Sequence, residues 1–318
     1  MTEPVTKRQM TSIRAFDPSV WADQGRKIIP IMRAYGGLRL RDARAELPET
    51  LGRIGSLEVR LAANAAEVRR AQKLRFKVFY EEMQAIADGA SKLARRDIDA
   101  FDAICDHLVV IDHDVIKRPR FGPPRPAIVG TYRLLRQEVA DRHGGFYTAS
   151  EFDISGLLAR HKGLRFLELG RSCVKPAYRN KRTVELLWHG IWTYVLRHRI
   201  DAMFGCASLD GTDPKALSLE LSFLHHHAAA PTEWAARALP ARYVGMDRLS
   251  KDAVDVKRAL HALPPLIKGY LRLGAHIGEG AVVDHQFGTT DVLVVLPVSA
   301  INPRYIGHFG AQGERHAA

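Results

Sequence analysis

The chain has 318 residues, 46% hydrophobic and 26% charged, a composition typical of an ordinary globular protein with a sizeable core. It contains no internal repeat, and no apolar run approaches the length of a membrane span. The formal net charge of +12 favours an acidic partner, which could be nucleic acid, an anionic membrane surface or an acidic protein.

The cysteines and the N-terminal residues bear on the compartment. Cys105, Cys173 and Cys206 have neither paired nor metal-ligand spacing, as is typical of a reduced compartment. The first twenty residues lack the apolar core of a signal peptide. We therefore expect a cytoplasmic protein.

Residues 1–56 are predicted to be an N-terminal extension. Between Lys27 and Leu47, apolar residues are mixed with arginines. That mixture fits either a loosely packed extension or a basic amphipathic arm that lies on a membrane surface. The globular part is predicted to span residues 57–310, followed by a frayed tail at 311–318.

The first predicted elements are a strand and a helix. Apolar residues alternate from Leu57 to Ala63, which predicts a half-buried strand. Asn64 is a suitable N-cap for a helix that runs to Met83. Residues 84–106 are polar and are predicted to form a long loop.

Four aspartates lie close together in that loop, at Asp97, Asp99, Asp102 and Asp106. Carboxylates at this spacing could bind a cation or an ammonium group, or they could simply be solvated. The glycine and terminal glutamate of a calcium-binding loop are missing, which argues against a metal.

Two further strands are predicted at Leu108–Asp112 and Ala127–Arg136, separated by a proline-rich basic loop. Arg133 interrupts the apolar character of the second strand. A short helix is predicted within residues 151–161.

The stretch from Arg165 to Arg199 predicts a strand, a basic turn and an amphipathic helix. Glu168 and Arg171 lie inside the otherwise apolar strand. A helix N-terminus after a basic turn can bind an anionic group through free backbone amides. The inner face of the helix is predicted from the following residues: Val184, Leu187, Trp188, Ile191, Trp192 and Val195.

The C-terminal part predicts a strand at Ala202–Leu209, a helix that Pro214 could open, and two further strands after residue 279. Adjacent side chains point in different directions, so His225–His227 are not expected to share a metal ion. The predicted class is α/β, with a mixed and largely antiparallel sheet flanked by helices.

Several segments, in the order in which they occur along the chain, resemble those of a known family. LRFKVFYEEM, DIDAFDAICDHLVV, VGTYRLL and FLELGRSCV are similar to segments of the acyl-homoserine lactone synthases and other enzymes of the GNAT-like acyltransferase fold. The segments from Met203 to Pro214 and from Leu263 to Val298 resemble the bacterial L-ornithine N(α)-acyltransferases. That resemblance implies transfer of a 3-hydroxyacyl chain from acyl carrier protein to L-ornithine, giving lyso-ornithine lipid.

One departure from ordinary acetyltransferases concerns the donor. Their glycine-rich pyrophosphate loop is replaced here by Arg179–Val184, which contains no glycine. A phosphopantetheine arm has one phosphate and no nucleotide, so this basic turn suits an acyl carrier protein better than coenzyme A. Acyl carrier proteins are strongly acidic, which gives the net charge of +12 a use. No bound cofactor is expected.

The reaction requires a neutral amine, a stabilised oxyanion and an apolar groove for the acyl chain. Glu168 is predicted to act as the base, directly or through water; alternatively, it pairs with Arg133 or Arg171 in a structural ion network. The resemblance implies that Arg171 belongs to the catalytic site and that four residues bind the substrate: Arg75, Asp99, Asp102 and Arg133. It also implies that the acyl chain and pantetheine meet the following residues: Phe79, Ser172, Cys173, Val174, Arg179, Lys181 and Arg182.

An amphiphilic product and a basic protein without a membrane span predict a peripheral position on the inner membrane. Conversion of a lyso product into a diacyl lipid would need a second acyltransferase downstream. Four alternatives remain at this stage. The acceptor could be lysine or glutamine, the chain could be a lactone synthase that uses S-adenosylmethionine, or it could bind lipid without turnover. The fourth, nucleic-acid binding, is not expected, because the sequence has no recognisable reading motif or aromatic stacking series.

Overall fold

The structure is a computed structural model that describes residues 49–120 and 122–301. Most of the predicted N-terminal extension and the predicted tail lie outside these residues. Within them, no helix combines the length and apolar character needed to cross a membrane.

In the described part of the chain, eleven strands form one mixed sheet. They are β1 (Gly52–Ile54), β2 (Leu57–Leu61), β3 (Asp106–Lys117), β4 (Arg125–Arg136), β5 (Phe152–Asp153), β6 (Phe166–Val174), β7 (Ala202–Asp210), β8 (Arg237–Ala238), β9 (Tyr243–Val244), β10 (His276–Asp284) and β11 (Thr289–Pro297). The order is β1-β2-β3-β4-β6-β7-β11-β10-β8-β5, and β9 pairs with β10. Neighbours are antiparallel except for β6–β7 and β8–β10. This arrangement confirms the predicted fold class.

Helices cover both faces of the sheet. They are α1 (Ala65–Phe76), α2 (Gly89–Ala94), α3 (Gln137–Ala140), α4 (Ser155–Arg160), α5 (Lys181–Arg197), α6 (Ser218–His227), α7 (Val256–Ala262) and α8 (Pro265–Leu273). Asn64 caps α1 as predicted, because its side chain accepts from the backbone N–H groups of Ala66 and Glu67. A π-helical turn at Lys77–Glu82 continues α1.

The apolar core divides by face. Leu108 and Val110 of β3 pack on the face covered by α5, whereas Val109 and Ile111 pack against α1 on the opposite face. The face that carries α1 is also covered, farther along the sheet, by residues 137–158, which pack against β7, β10 and β11. The α1 face is therefore the one that carries the side chain of Glu168.

Four sequence predictions need correction. The fold begins before residue 57, because Gly52–Ile54 pairs with Leu57–Leu61. The predicted loop at 84–106 contains α2 and a 3₁₀ helix at Ala100–Ala103. The strands β3 and β4 extend into the predicted loop at 113–126. Val184 of α5 is 46% exposed, since it lies in the first turn, before the helix passes over the sheet.

The sheet opens in its middle, between β6 and β7. These parallel strands pair only from Phe166 to Glu168 on β6. Beyond that point β6 carries one residue more than β4, a β-bulge, and Arg171 adopts φ +51° within it. Gly205 of β7 lies so close to β6 that a Cβ atom there would be 2.2 Å from the carbonyl oxygen of Leu169. The opening follows directly after this close approach.

Candidate active site

The bulge on β6 brings Arg171 into the opening of the sheet. A left-handed conformation at a non-glycine residue costs about 1–3 kcal/mol and persists only where surrounding contacts maintain it. The guanidinium lies 4.9 Å from the ring centroid of Tyr147 and 5.0 Å from that of Phe287. Its Nη2 atom is 3.3 Å from Oδ2 of Asp99, and its Nε atom is 3.3 Å from Oδ2 of Asp97. The side chain of Arg171 is thus fixed by charge and by aromatic contact.

A buried ionic cluster surrounds Arg171 and joins two further arginines to three aspartates. Arg75 has no exposed surface and donates from Nε to Asp97 at 2.6 Å and from Nη2 to Asp102 at 2.8 Å. Burial alone would raise the pKa of the Asp102 carboxyl. The positive charge of Arg75 and its hydrogen bond outweigh burial and hold that pKa well below its usual range. Asp102 is therefore a carboxylate enclosed by cations.

Arg133 forms the other half of this cluster. Its Nη1 atom donates to both oxygens of Asp99, at 2.6 and 2.7 Å, and Asp99 also receives Arg171. Asp97 receives the Tyr80 hydroxyl at 3.0 Å in addition to its arginines. Three guanidinium groups thus balance three carboxylates.

Three of the four predicted aspartates therefore meet in one cluster. The fourth, Asp106, lies elsewhere and accepts from the hydroxyl of Tyr194 at 2.5 Å. The structure brings together Arg75, Asp99, Asp102 and Arg133, the four residues that the family resemblance assigned to substrate binding. Their role in binding the substrate stays a prediction, and within the cluster the arginines already engage both aspartates.

Glu168 lies apart from this cluster and makes different contacts. Its Oε1 atom accepts from the backbone N–H of Thr148 at 2.6 Å, and its Oε2 atom accepts from that of Tyr147 at 3.0 Å. Burial raises the pKa of the Glu168 carboxyl, although these hydrogen bonds act in the opposite direction. The alternative of an ion pair with Arg133 or Arg171 is not what the structure shows, since the loop at residues 147–148 supplies the partners of this carboxylate.

A second carboxylate cluster lies on the same face as Glu168, and the sequence analysis missed it. Glu151, Asp284 and Asp291 each place one carboxylate oxygen within 4.8 Å of the others. All three side chains are buried. Asp284 and Asp291 lie on the β10–β11 hairpin, whereas Glu151 comes from a distant segment, so local spacing gave no signal for the cluster.

The residues predicted to meet the acyl chain and pantetheine fall into two groups, one beside Arg171 and along β6 and the other in the basic turn before α5. Phe79 packs edge-on against Phe287, with ring centroids 5.7 Å apart, beside Arg171. Cys173 is buried against α1, and burial raises the pKa of its thiol to about 12, which disfavours a thiolate at neutral pH. The backbone of Ser172–Val174 continues along the edge of the opening, and a role there stays a prediction.

The basic turn that precedes α5 is exposed. Arg179 pairs with Glu82 through both terminal nitrogens, at 2.5 and 2.9 Å, and its Nε donates to the carbonyl of Val174. Lys181 is 88% exposed and lies 3.5 Å from Glu185, and Arg182 is also exposed. The turn thus connects the end of β6 with an accessible cationic surface.

Of the three consecutive histidines, His225 and His226 approach Asp247, and the ligand atoms of the three residues lie within 4.8 Å of one another. The Nε2 atom of His226 already lies 2.8 Å from the carbonyl oxygen of Leu249. That these histidines hold no metal ion stays a prediction.

Comparison with known proteins gives consistent results. A family model for the acetyltransferase (GNAT) domain matches residues 74–189. The chain is 58% identical over 264 residues to an L-ornithine N(α)-acyltransferase of Agrobacterium fabrum strain C58, covering 83% of this chain and 88% of that protein. It is 55% identical over 274 residues to an L-ornithine N(α)-acyltransferase of Rhizobium meliloti strain 1021, covering 86% and 91%. A solved N-acyl amino acid synthase from uncultured soil microbes is 13% identical with a TM-score of 0.40, covering 78% of this chain and 92% of its own.

Proposed function

The chain belongs to the family of the L-ornithine N(α)-acyltransferases, and we propose that it moves a 3-hydroxyacyl chain from acyl carrier protein to the α-amino group of L-ornithine. The product is an N-acyl ornithine, a lyso-ornithine lipid. The bond that forms is an amide, and the bond that breaks is the thioester to the phosphopantetheine arm. The observation that best supports this proposal is the opening between β6 and β7, which offers room for the thioester.

The opening supplies donors for the oxyanion. Because β7 pairs with β6 only as far as Glu168, the amides of the following β6 residues on that side have no partner on β7. Backbone N–H groups at an opened strand can hold a thioester carbonyl and stabilise the charge that develops on its oxygen. The bulge at Arg171 turns this stretch of backbone out of the regular ladder. The thioester is therefore expected beside Gly170–Val174.

Glu168 is the candidate base. It is buried on the face that carries the second carboxylate cluster, and its raised pKa suits a group that accepts a proton from an ammonium or through a water. The two backbone amides and the side chain of Thr148 fix its orientation. The same contacts keep the loop at residues 147–150 against β6.

The donor is expected to approach at the basic turn. Lys181 and Arg182 are exposed at the start of α5, where the helix dipole also favours a negative group. The phosphate of a pantetheine arm and the acidic surface of a carrier protein both fit there. The net charge of +12 also suits an anionic membrane surface, into which an amphiphilic product would pass.

A product assay by mass spectrometry tests the proposal. Purified protein is incubated with 3-hydroxyacyl carrier protein and a mixture of ornithine, lysine, glutamine and S-adenosylmethionine, beside the Glu168→Gln variant. An N-acyl ornithine that is lost in the variant supports the acceptor and the base together. N-acyl lysine or N-acyl glutamine as the main product contradicts the acceptor, and a homoserine lactone product contradicts the reaction class.

A second donor separates carrier protein from coenzyme A. The same 3-hydroxyacyl chain is supplied as a coenzyme A thioester at equal concentration. We expect a lower kcat/KM with coenzyme A, because the basic turn lacks the glycines that a pyrophosphate needs. Equal or better use of coenzyme A contradicts the donor assignment.

A further inference from the structure

We propose that Glu151, Asp284 and Asp291 form the subsite that binds the side-chain ammonium group of the amino acid acceptor. The inference rests on the proposed function for the identity of the acceptor. It assigns the cationic end of ornithine to the second carboxylate cluster and not to the aspartates around Arg171.

The first argument is an unused acceptor. Glu151 is 2% exposed, and its Oε2 atom is buried without a hydrogen-bond partner among the described residues. A buried carboxylate oxygen without a donor is costly, so such an atom indicates a site for a group that arrives from outside. Oxygens of Asp284 and Asp291 lie within 4.8 Å of an oxygen of Glu151.

The second argument is the charge balance. Three carboxylates face one guanidinium, that of Arg242, whose Nη1 lies 3.5 Å from Oε1 of Glu151. The other contacts come from neutral groups. Thr289 donates to Asp291 at 2.9 Å, and the amides of Gln286 and Phe287 donate to Asp284. The side chains of Ser208 and Cys206 also contact Asp291 and Glu151, respectively. In the cluster around Arg171, by contrast, three arginines already match three aspartates. The second cluster is therefore the one whose carboxyl groups outnumber the cations beside them.

The third argument is the position of the cluster along the sheet. Glu168 and Phe204 are the last pair between the two strands, so Cys206–Ser208 lie on the part of β7 beyond the pairing, where the sheet opens. Ser208 pairs with Asp291 on β11. The carboxylates thus lie at the level of the opening, one strand beyond β7. Neighbouring strands are about 4.8 Å apart, a distance comparable with the span of a three-methylene side chain.

Glu151 connects the two parts of such a site. It directly follows the 3₁₀ helix Tyr147–Ser150, whose first two amides hold Glu168. Cys206 lies between them, with its Sγ atom 3.8 Å from Oγ1 of Thr148 and its thiol beside Glu151. One short segment therefore positions the candidate base and one wall of the ammonium subsite.

The chemistry of the cluster fits an ammonium group better than a divalent ion. An ammonium group has three N–H donors, one for each carboxylate. Magnesium and calcium require six or more oxygen ligands, and a guanidinium beside Glu151 repels a dication. A metal ion is nevertheless an outcome that the experiment must separate.

The test uses two acceptors that differ at the far end. L-Norvaline has the carbon chain of ornithine without its side-chain amine, and it therefore cannot use the subsite. Asp291→Asn and Glu151→Gln are expected to raise KM for ornithine on the order of 10- to 100-fold, the range for a lost hydrogen bond to a charged group. The kcat/KM for norvaline should stay within about 2-fold. Asp210→Asn is the control, because it removes an exposed carboxylate at the end of β7. It should change neither the KM for ornithine nor the kcat/KM for norvaline.

Parallel losses with both acceptors would overturn the proposal, because they would indicate a merely structural role. If a chelator abolishes the preference for ornithine and Mn²⁺ restores it, the cluster binds a metal ion and not the ammonium group, which overturns the proposal. If wild-type protein acylates no amino acid, the proposed function fails, and the subsite is then tested alone by calorimetry. Ornithine that binds at least about 10-fold more tightly than norvaline, with the difference lost in Asp291→Asn, supports it; equal binding overturns it.

Discussion

The backbone nitrogen of Thr148 lies 2.6 Å from Oε1 of Glu168, so the loop that precedes Glu151 is held against the strand that carries the candidate base. One carboxylate thereby performs two tasks that a substitution can separate. As a hydrogen-bond acceptor it fixes the loop, and as a base it would accept the proton of the attacking amine.

The Glu168→Gln variant should weaken the attachment of the loop and also lose the base. A glutamine NH₂ would face one of the two backbone N–H donors, so we expect a loss of about 1–3 kcal/mol in the free energy of unfolding. If Glu168 is also the base, kcat should fall about 10²- to 10⁴-fold. Urea unfolding and steady-state kinetics measure the two effects. The exposed Glu138, changed to Gln, is the control; a folded Glu168→Gln variant with wild-type kcat would remove the base assignment.

The Arg75→Met variant tests the buried ionic cluster. Removal of this guanidinium leaves Asp97 and Asp102 buried without their main partner, so we expect a loss of about 3–5 kcal/mol in the free energy of unfolding. Arg95→Met is the matched control, because Arg95 is 72% exposed and pairs with Glu81 at the surface. That variant should cost at most about 1 kcal/mol. Equal losses in urea unfolding would contradict the view that burial makes the Arg75 cluster critical.

The Gly205→Ala variant tests the close approach of β7 to β6. A methyl group there would meet the carbonyl of Leu169, and a backbone atom cannot rotate away as a side chain can. We expect a loss of about 1–3 kcal/mol, together with reduced kcat, since the opening lies directly beyond. Gly269→Ala within α8 meets no atom within 4 Å and should be neutral or stabilising by up to about 1 kcal/mol. Gly205→Ala with wild-type stability would contradict this tight packing.

Acceptor binding should depend on pH near neutrality. Burial, then the nearby carboxylate of Asp291, raises the pKa of Glu151 to about 7. Asp284, Asp291, Arg242 and the thiol of Cys206 are the titratable groups that face it. An ammonium group prefers the ionised carboxylate, so KM for ornithine should fall as pH rises through about 7. Steady-state kinetics across pH 6–8 measure this change, and norvaline, without the side-chain amine, should show no such fall; an equal fall with both acceptors would contradict the assignment.

The sequence predicted those parts of the fold that local periodicity determines. The apolar runs at Phe166–Val174 and Ala202–Leu209 are strands, and the spacing after Asn180 is a helix. Val184 was misplaced because three-and-four spacing identifies a stripe but not the turn at which a helix leaves the sheet. Family resemblance and local spacing together predicted that Asp99 and Asp102 share a site with the arginines. They did not predict that the arginines would form ion pairs with both aspartates.

The second carboxylate cluster could not be predicted in the same way. Asp284 and Asp291 lie on the β10–β11 hairpin, and the fold brings Glu151 to them from the end of a 3₁₀ helix far away in the chain. No pattern of neighbouring residues records such a meeting. The bulge at Arg171 was equally invisible, since it depends on a mismatch in register between two strands.

The short pairing of β6 with β7 has a mechanical consequence. Three residue pairs, Phe166–Glu168 with Ala202–Phe204, are the whole backbone ladder between the two halves of the sheet in the described part of the chain. The ladder that joins the two halves is therefore much shorter than the antiparallel ladders within them, although the apolar core on the α5 face is shared by both. We expect a small rotation of one half against the other to change the width of the opening while disturbing few strand-to-strand hydrogen bonds.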